Sequence, residues 1–150
     1  MTRVIARASI DVARPAEQVF AAVADLRGHA DWSPKPYRTE GLPDGAPVVQ
    51  GTRYTSYGWL PNDKDHRNEV EVTELAAPTR LVLTATESGE QFVTTFTVTP
   101  TGTGSRIERV ADMPKPGGVV GLLFPVLLKL LIQPDMTKGL TNLKTTLEAS

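Results

Sequence analysis

The chain has 150 residues, 40% of them hydrophobic and 22% charged, which suits one domain spanning residues 1–150. Its 16 basic and 17 acidic residues leave a net charge of −1, so there is no global field to gather nucleic acid, and no nucleic-acid partner is expected. The absence of cysteine excludes disulfides, thiol nucleophiles and thiolate metal sites.

At the N-terminus, TRVIARASIDV alternates, with Val4, Ala6, Ala8, Ile10 and Val12 on one side, and predicts a half-buried strand. It lacks the continuous apolar run and cleavage site of a signal peptide, so the expected location is cytoplasmic. Pro15 suits the first turn of a helix, in which Val19, Phe20 and Val23 share a face. Gly28 and two prolines then frame a short turn or helix carrying Trp32. From Tyr37 to Met113 the chain reads as five or six short alternating strands separated by turn signals, an antiparallel meander. After Pro-Lys-Pro-Gly-Gly comes the apolar segment GVVGLLFPVLLKLLI. Beyond it, Met136, Leu140, Leu143 and Leu147 fall on one face of a closing helix. An antiparallel sheet that is apolar on one face must be covered, and only the helices can do it, which gives an α+β fold.

The run SIDVARPAEQVFAAVADLRGHADWSP resembles the opening of the START-like SRPBCC superfamily, which includes polyketide cyclase/dehydrase-like proteins. The carrying residues are Pro15 at the strand end, Val19-Phe20 in the first helix, Asp25 near its end and Trp32 beyond. Later pieces agree in order: Gly51 opening a strand, VTELAAPTRLVL, FTVTPTGTGSRI and the terminal LTNLKTTLE. The resemblance implies a helix-grip fold, a curved antiparallel sheet wrapped around a long C-terminal helix with an apolar cavity between them. It also implies a small hydrophobic ligand such as a lipid, isoprenoid or polyketide, bound for sequestration or transport. The alternative is an enzyme of polyketide cyclase/dehydratase type, and few catalytic residues are shared across the superfamily.

Strand parity selects the side chains that face such a cavity. Tyr54 and Ser56 share one face of their strand, and Asn68, Val70 and Val72 share one face of the next, because Glu69 and Glu71 must take the wet side. Phe92, Thr94, Phe96 and Val98 continue the face, and Ile107, Ala111 and Met113 complete it with Arg109 among them. A guanidinium in an apolar cavity is costly without a partner. A carboxylate, enolate or phenolate on a ligand would supply one; the ordinary alternative is a buried stem with its head in water at the mouth. Arg109 and Tyr54 are the catalytic candidates, as stabilisers of oxyanion charge. Trp32, Tyr54, Ser56, Asn68, Val70, Thr94, Phe96, Arg109 and Met113 are the ligand-binding candidates. His29 and His66, near Asp31 and Asp65, read as solvated surface residues before catalytic bases. The run Asn62–His66 lacks the calcium-loop pattern, there is no G-x-S-x-G elbow, and neither metal nor cofactor is expected.

The apolar segment from Gly117 to Ile132 would reach about 24 Å as helix, short of the roughly 30 Å of a hydrocarbon core, so no transmembrane segment is expected. Val120, Phe124, Leu127 and Leu131 form one stripe, but at constant phase the Met136 stripe falls on the opposite side. A break at Pro134 is therefore expected, with residues 119–132 as a cavity lid whose Phe124 and Leu127 contact ligand and residues 135–148 as the gripped helix. The rival is one continuous helix whose first stripe is exposed for a partner subunit, as in a homodimer or another oligomeric module, or for peripheral contact with a membrane surface.

Overall fold

The computed structural model describes residues 2–150. Strand β1 (Arg3–Val12) leads into helix α1 (Ala16–Ala24) and the one-turn helix α2 (His29–Trp32). Six strands follow: β2 (Arg38–Glu40), β3 (Arg53–Leu60), β4 (Asp63–Ala76), β5 (Arg80–Glu87), β6 (Glu90–Pro100) and β7 (Ser105–Pro114). The chain closes with α3 (Gly118–Leu127), a π turn (Leu128–Ile132) and α4 (Gln133–Glu148). The seven strands form one antiparallel sheet in the order β1-β7-β6-β5-β4-β3-β2, with β1 joining the far edge of the meander by pairing with β7. This is the helix-grip architecture.

The register explains why one face is apolar. Tyr54 lies opposite Val70 and Val70 opposite Ala85, while Leu83 faces Thr94 and Leu81 faces Phe96. Phe96 in turn faces Arg109, which faces Ala8 on β1. Thus the parity residues of six strands fall on one surface, with Glu69 and Glu71 on the other. An irregularity between Val72 and Glu74 adds a residue to β4, and such a bulge bends the sheet further over its contents. At the opposite edge Gly104 carries the β6–β7 turn against the end of β1, where a Cβ would collide with the Val12 carbonyl. Only glycine lets the two backbones come that close.

Helix α1 packs Val19, Phe20 and Val23 into the concave face, and α4 adds Met136, Leu140 and Leu143. The C-terminal helix is one continuous 31-residue path, Gly118–Glu148, and is not broken at Pro134. The mismatch between the two apolar stripes is absorbed instead by the π turn just upstream, whose extra residue rotates α4 relative to α3. Pro134 stands in the first turn of α4, next to that wider turn, so its missing N–H and its ring are accommodated without ending the helix. An 18-residue window of this helix is long and apolar enough to cross a bilayer, yet α4 is held in the core from Met136 onward.

Residues 119–132 do not form a lid. Phe124 is buried, but in a crevice made by Thr2–Ile5, Lys115 and Leu128 at the start of β1. Leu127 is half-buried, and Val120 and Leu131 are exposed. Val119, Leu122, Leu123, Val126 and Leu130 are exposed as well, so most of this helix stands free of the core. Leu140→Ala is therefore expected to lower stability by about 2–5 kcal/mol in urea unfolding. Leu122→Ala, at a side chain touching little, should stay within about 0.5 kcal/mol.

Candidate functional site

The helices cover the concave face unevenly. Helix α4 lies along β1 and α1 along β5–β7, so the β3–β6 half of the sheet is left over a cavity of about 480 Å³. Eight of the ligand-binding candidates line it, Trp32, Tyr54, Ser56, Asn68, Val70, Thr94, Phe96 and Arg109, and Phe92 from the same parity face joins them. Met113 does not; it is on the expected face, but at the end of β7 opposite Val4, beyond the cavity floor. Phe124 and Leu127 are absent from the lining because α3 lies off the start of β1.

Arg109 sits inside the cavity. Its neighbour on β1 is Ala8, too small to cover it, and its guanidinium lies 5.5 Å from the centre of the Phe96 ring. Arg109 is half-buried as a whole, but its Nε is fully buried and has no hydrogen-bond partner. Burial pulls the guanidinium below its ordinary value, with only the Tyr37 phenol acting in the other direction. Arginine nonetheless stays charged at neutral pH, because its reference value is so high. Among the described residues the other buried side-chain nitrogen without a partner is the indole Nε1 of Trp32, also on the cavity wall. Two unsatisfied N–H donors around one cavity are an unusual cost, since buried polar groups are nearly always paired.

Tyr37 and Tyr54 supply hydroxyls. Burial pushes the Tyr37 phenol above its ordinary value, an effect that Tyr54, Ser56 and the charge of Arg109 partly offset. Burial raises Tyr54 further, reinforced by Tyr37. Both therefore remain neutral hydrogen-bonding groups at any physiological pH.

Two histidines expected at the surface belong to the lining. His29 is buried at 7% exposure and packs against Trp32 and Phe96, with ring centres 4.8 and 5.9 Å away. Its Nε2 lies 2.6 Å from the Val23 carbonyl, which can only accept, so Nε2 carries the proton and Nδ1 keeps its lone pair. Burial brings its pKa down to about 4; the Val23 bond opposes this, and the charge of Arg109 adds to it. His29 is thus a neutral imidazole at pH 7. His66 stands at the rim and is held by Asp63 and Glu87, each at 3.0 Å and on opposite ring nitrogens, not by Asp65. The three groups therefore do not converge on a point where a metal could sit. Asp65 instead binds Arg38 at 2.9 Å.

Sequence reading also missed Tyr37, which lies just after Pro36 in an irregular segment where neither helical nor strand parity applies. For His29 the one available signal was the spacing to Trp32, which places both rings on one side of a short helix.

Residues 3–148 match the family described as polyketide cyclase/dehydrase and lipid transport. The KanY protein, solved in solution by NMR, has the same fold with a TM-score of 0.75 and 21% identity over 99% of each chain. TTHA0849 from Thermus thermophilus gives a TM-score of 0.73 at 21% identity, covering 97% of this chain and 98% of that one. DynU16, from the dynemicin biosynthetic locus, gives 0.64 at 17% identity, covering 96% of this chain and 47% of that one. At these identities the likeness is one of fold, and no curated protein matches in sequence. The family match, which runs nearly end to end, makes this chain a member of the polyketide cyclase/dehydrase and lipid transport family, within the SRPBCC superfamily.

Proposed function

We propose that the protein binds a small hydrophobic molecule bearing one anionic or strongly accepting oxygen group, with that group at Arg109 and the apolar body along Val70, Leu83, Ala85 and Phe92. The observation that carries this reading is the partnerless Arg109 nitrogen in a mainly apolar cavity, together with the indole N–H of Trp32. A carboxylate, enolate or phenolate would complete the guanidinium's hydrogen bonding away from bulk water, where charge-assisted bonds are strong. Tyr54, Ser56, Asn68 and Thr94 would orient the rest of the ligand, a small polar set in a mainly apolar pocket. Family membership supports the ligand class, a lipid- or polyketide-like molecule, and a cytoplasmic carrier is the simplest setting for it.

A second reading is favoured by His29. A neutral imidazole with a free Nδ1, close enough to Arg109 to feel its charge, is an acceptor beside an oxyanion stabiliser. Arg109 and Tyr54 line the same cavity, as a cyclase or dehydratase would need. In that reading His29 takes a proton from a carbon next to a ligand carbonyl. The electron pair moves onto the carbonyl oxygen, where Arg109 and the Tyr54 phenol meet it.

Binding is tested with a medium-chain fatty acid and the fatty alcohol of equal length, by calorimetry at neutral pH. Arg109→Leu should weaken the acid about tenfold or more and change the alcohol little, since only the acid uses the guanidinium. Equal effects on both probes would end the Arg109 reading. The same variant without ligand should melt no lower than the parent, because it removes a buried charge that lacks a partner.

The rim carries its own pH dependence. Burial opposes charge on His66, but Asp63 and Glu87 outweigh it and raise the histidine above its ordinary value. A raised histidine contributes stability that is fully present below the unfolded value near 6.5 and is lost as pH climbs through the folded value. Amide exchange in the β3–β4 and β5–β6 turns, corrected for its intrinsic pH dependence, should therefore show protection falling as pH rises above 6.5. In His66→Gln that step should vanish.

A further inference from the structure

We propose that the protruding helix α3 docks the protein, cavity mouth first, on an anionic lipid bilayer. The first observation is where exposed apolar surface lies. Among the described residues ten large hydrophobic side chains are exposed, and seven of them are on the helix between Val119 and Leu131. Two more, Ile5 and Leu60, lie at the same end of the sheet.

Sheet register fixes that common end. Leu60 pairs with Asp63 at the β3–β4 turn, Glu87 with Glu90 at the β5–β6 turn, and Arg3 with Pro114 where β7 stops. Because successive strands are antiparallel, both turns and this pair of strand ends lie at one end of the sheet, with the β3–β4 hairpin running several residues beyond the β5–β6 turn. The cavity reaches the surface there, since Leu60, His66, Glu87 and Phe92 belong to its wall. Helix α3 begins four residues after Pro114, at the same end.

Length shows that the helix overhangs. At the other end of the molecule Glu148 accepts a hydrogen bond from the Ala13 N–H at 2.8 Å, fixing the end of α4 beside the end of β1. The 31 residues of Gly118–Glu148 span about 46 Å, whereas the ten of β1 span about 33 Å. Roughly 13 Å of helix therefore extends past β1, with Phe124 seated against the start of that strand and the first turns of α3 beyond it.

Charge selects the occupant. Between Pro116 and Pro134 Lys129 is the only charged side chain, and Lys115 immediately precedes the segment. An apolar helix flanked by lysines suits a bilayer in which leucines enter the acyl boundary and ammonium groups remain among anionic headgroups. Of the acidic residues in the neighbouring turns, Asp65 is paired with Arg38 and Asp63 and Glu87 share His66, while Lys64 at the β3–β4 turn adds a further ammonium group beside them. A second copy of the chain fits less well: a twofold contact on the same face would set its lysines against their equivalents and close the cavity mouth. On a bilayer the mouth instead faces a source of apolar ligand. Docking rests on the surface alone and does not require that Arg109 bind anything.

The test is flotation of the full chain with vesicles of equimolar phosphatidylcholine and phosphatidylglycerol, with sedimentation velocity run in parallel. The parent should float with the mixed vesicles, float less with phosphatidylcholine alone, and sediment as a monomer in their absence. Leu122→Glu, at a side chain 81% exposed, should keep the circular dichroism and melting of the parent while reducing flotation about tenfold or more. Arg109→Leu should float like the parent, which separates this proposal from ligand recognition: either can fail alone. No flotation of the parent, flotation indifferent to Leu122→Glu, or a parent dimer that Leu122→Glu converts to monomer would each overturn it.

Discussion

Everything in this molecule depends on one geometric constraint: seven strands present a single apolar concave face, and the chain has too little helix to cover it. Helix α4 lies along β1, α1 spans the middle strands and α2 bridges to α4. What remains over β3–β6 is a cavity with an open mouth. A core of this kind normally closes to the density of an organic crystal. Here the curvature imposed by the β4 bulge, with the rings of His29, Trp32 and Phe96 packed against one another, keeps the walls apart. The cavity is a product of how sheet width compares with helix supply, and no single lining side chain creates it.

On that background Arg109 is the exception that gives the cavity chemical character. Its flanking positions across the sheet, Ala8 and Phe96, offer neither a carboxylate nor a carbonyl to its side chain, and two neutral phenols and a neutral imidazole line the same cavity. The field of one cation is thus largely uncompensated in a space of low polarisability, where it acts strongly on whatever enters. The same field helps to keep His29 uncharged. Burial keeps Tyr37, Tyr54 and His29 neutral around this permanent cation, while Glu87 and His66 pair with each other at the rim.

Much of this was legible before any coordinates. Alternation fixed the faces of the strands because Glu69 and Glu71 admit only one assignment, and the register then carried that face across to Arg109. Parity gives the face but not the depth, so Met113 was grouped with the cavity although β7 carries it past the floor. His29 was illegible for another reason: four helical residues between Gly28 and Pro34 offer no periodicity, and its polar context suggests solvent. The apolar C-terminal segment shows a subtler limit. Phase arithmetic correctly required a rotation between the Phe124 and Leu140 stripes, and proline was the visible place to put it. The chain instead widened one turn at Leu128–Ile132, a solution with no marker in composition and with a different result, since an unbroken helix cannot fold back over the cavity.

The wall shared by cavity and core has a consequence of another kind. Trp32 and Phe96 belong at once to the hydrophobic core and to the cavity lining, and His29 is bonded to the last turn of α1 through Val23. Nothing separates the part of the protein that folds from the part that could hold a guest. Occupancy and folding are then thermodynamically linked: a guest that enters only the folded cavity raises stability by RT ln(1 + [L]/Kd), whatever chemistry follows. An empty molecule would be the least durable form of this fold, and its lifetime in a cell would report how well supplied it is.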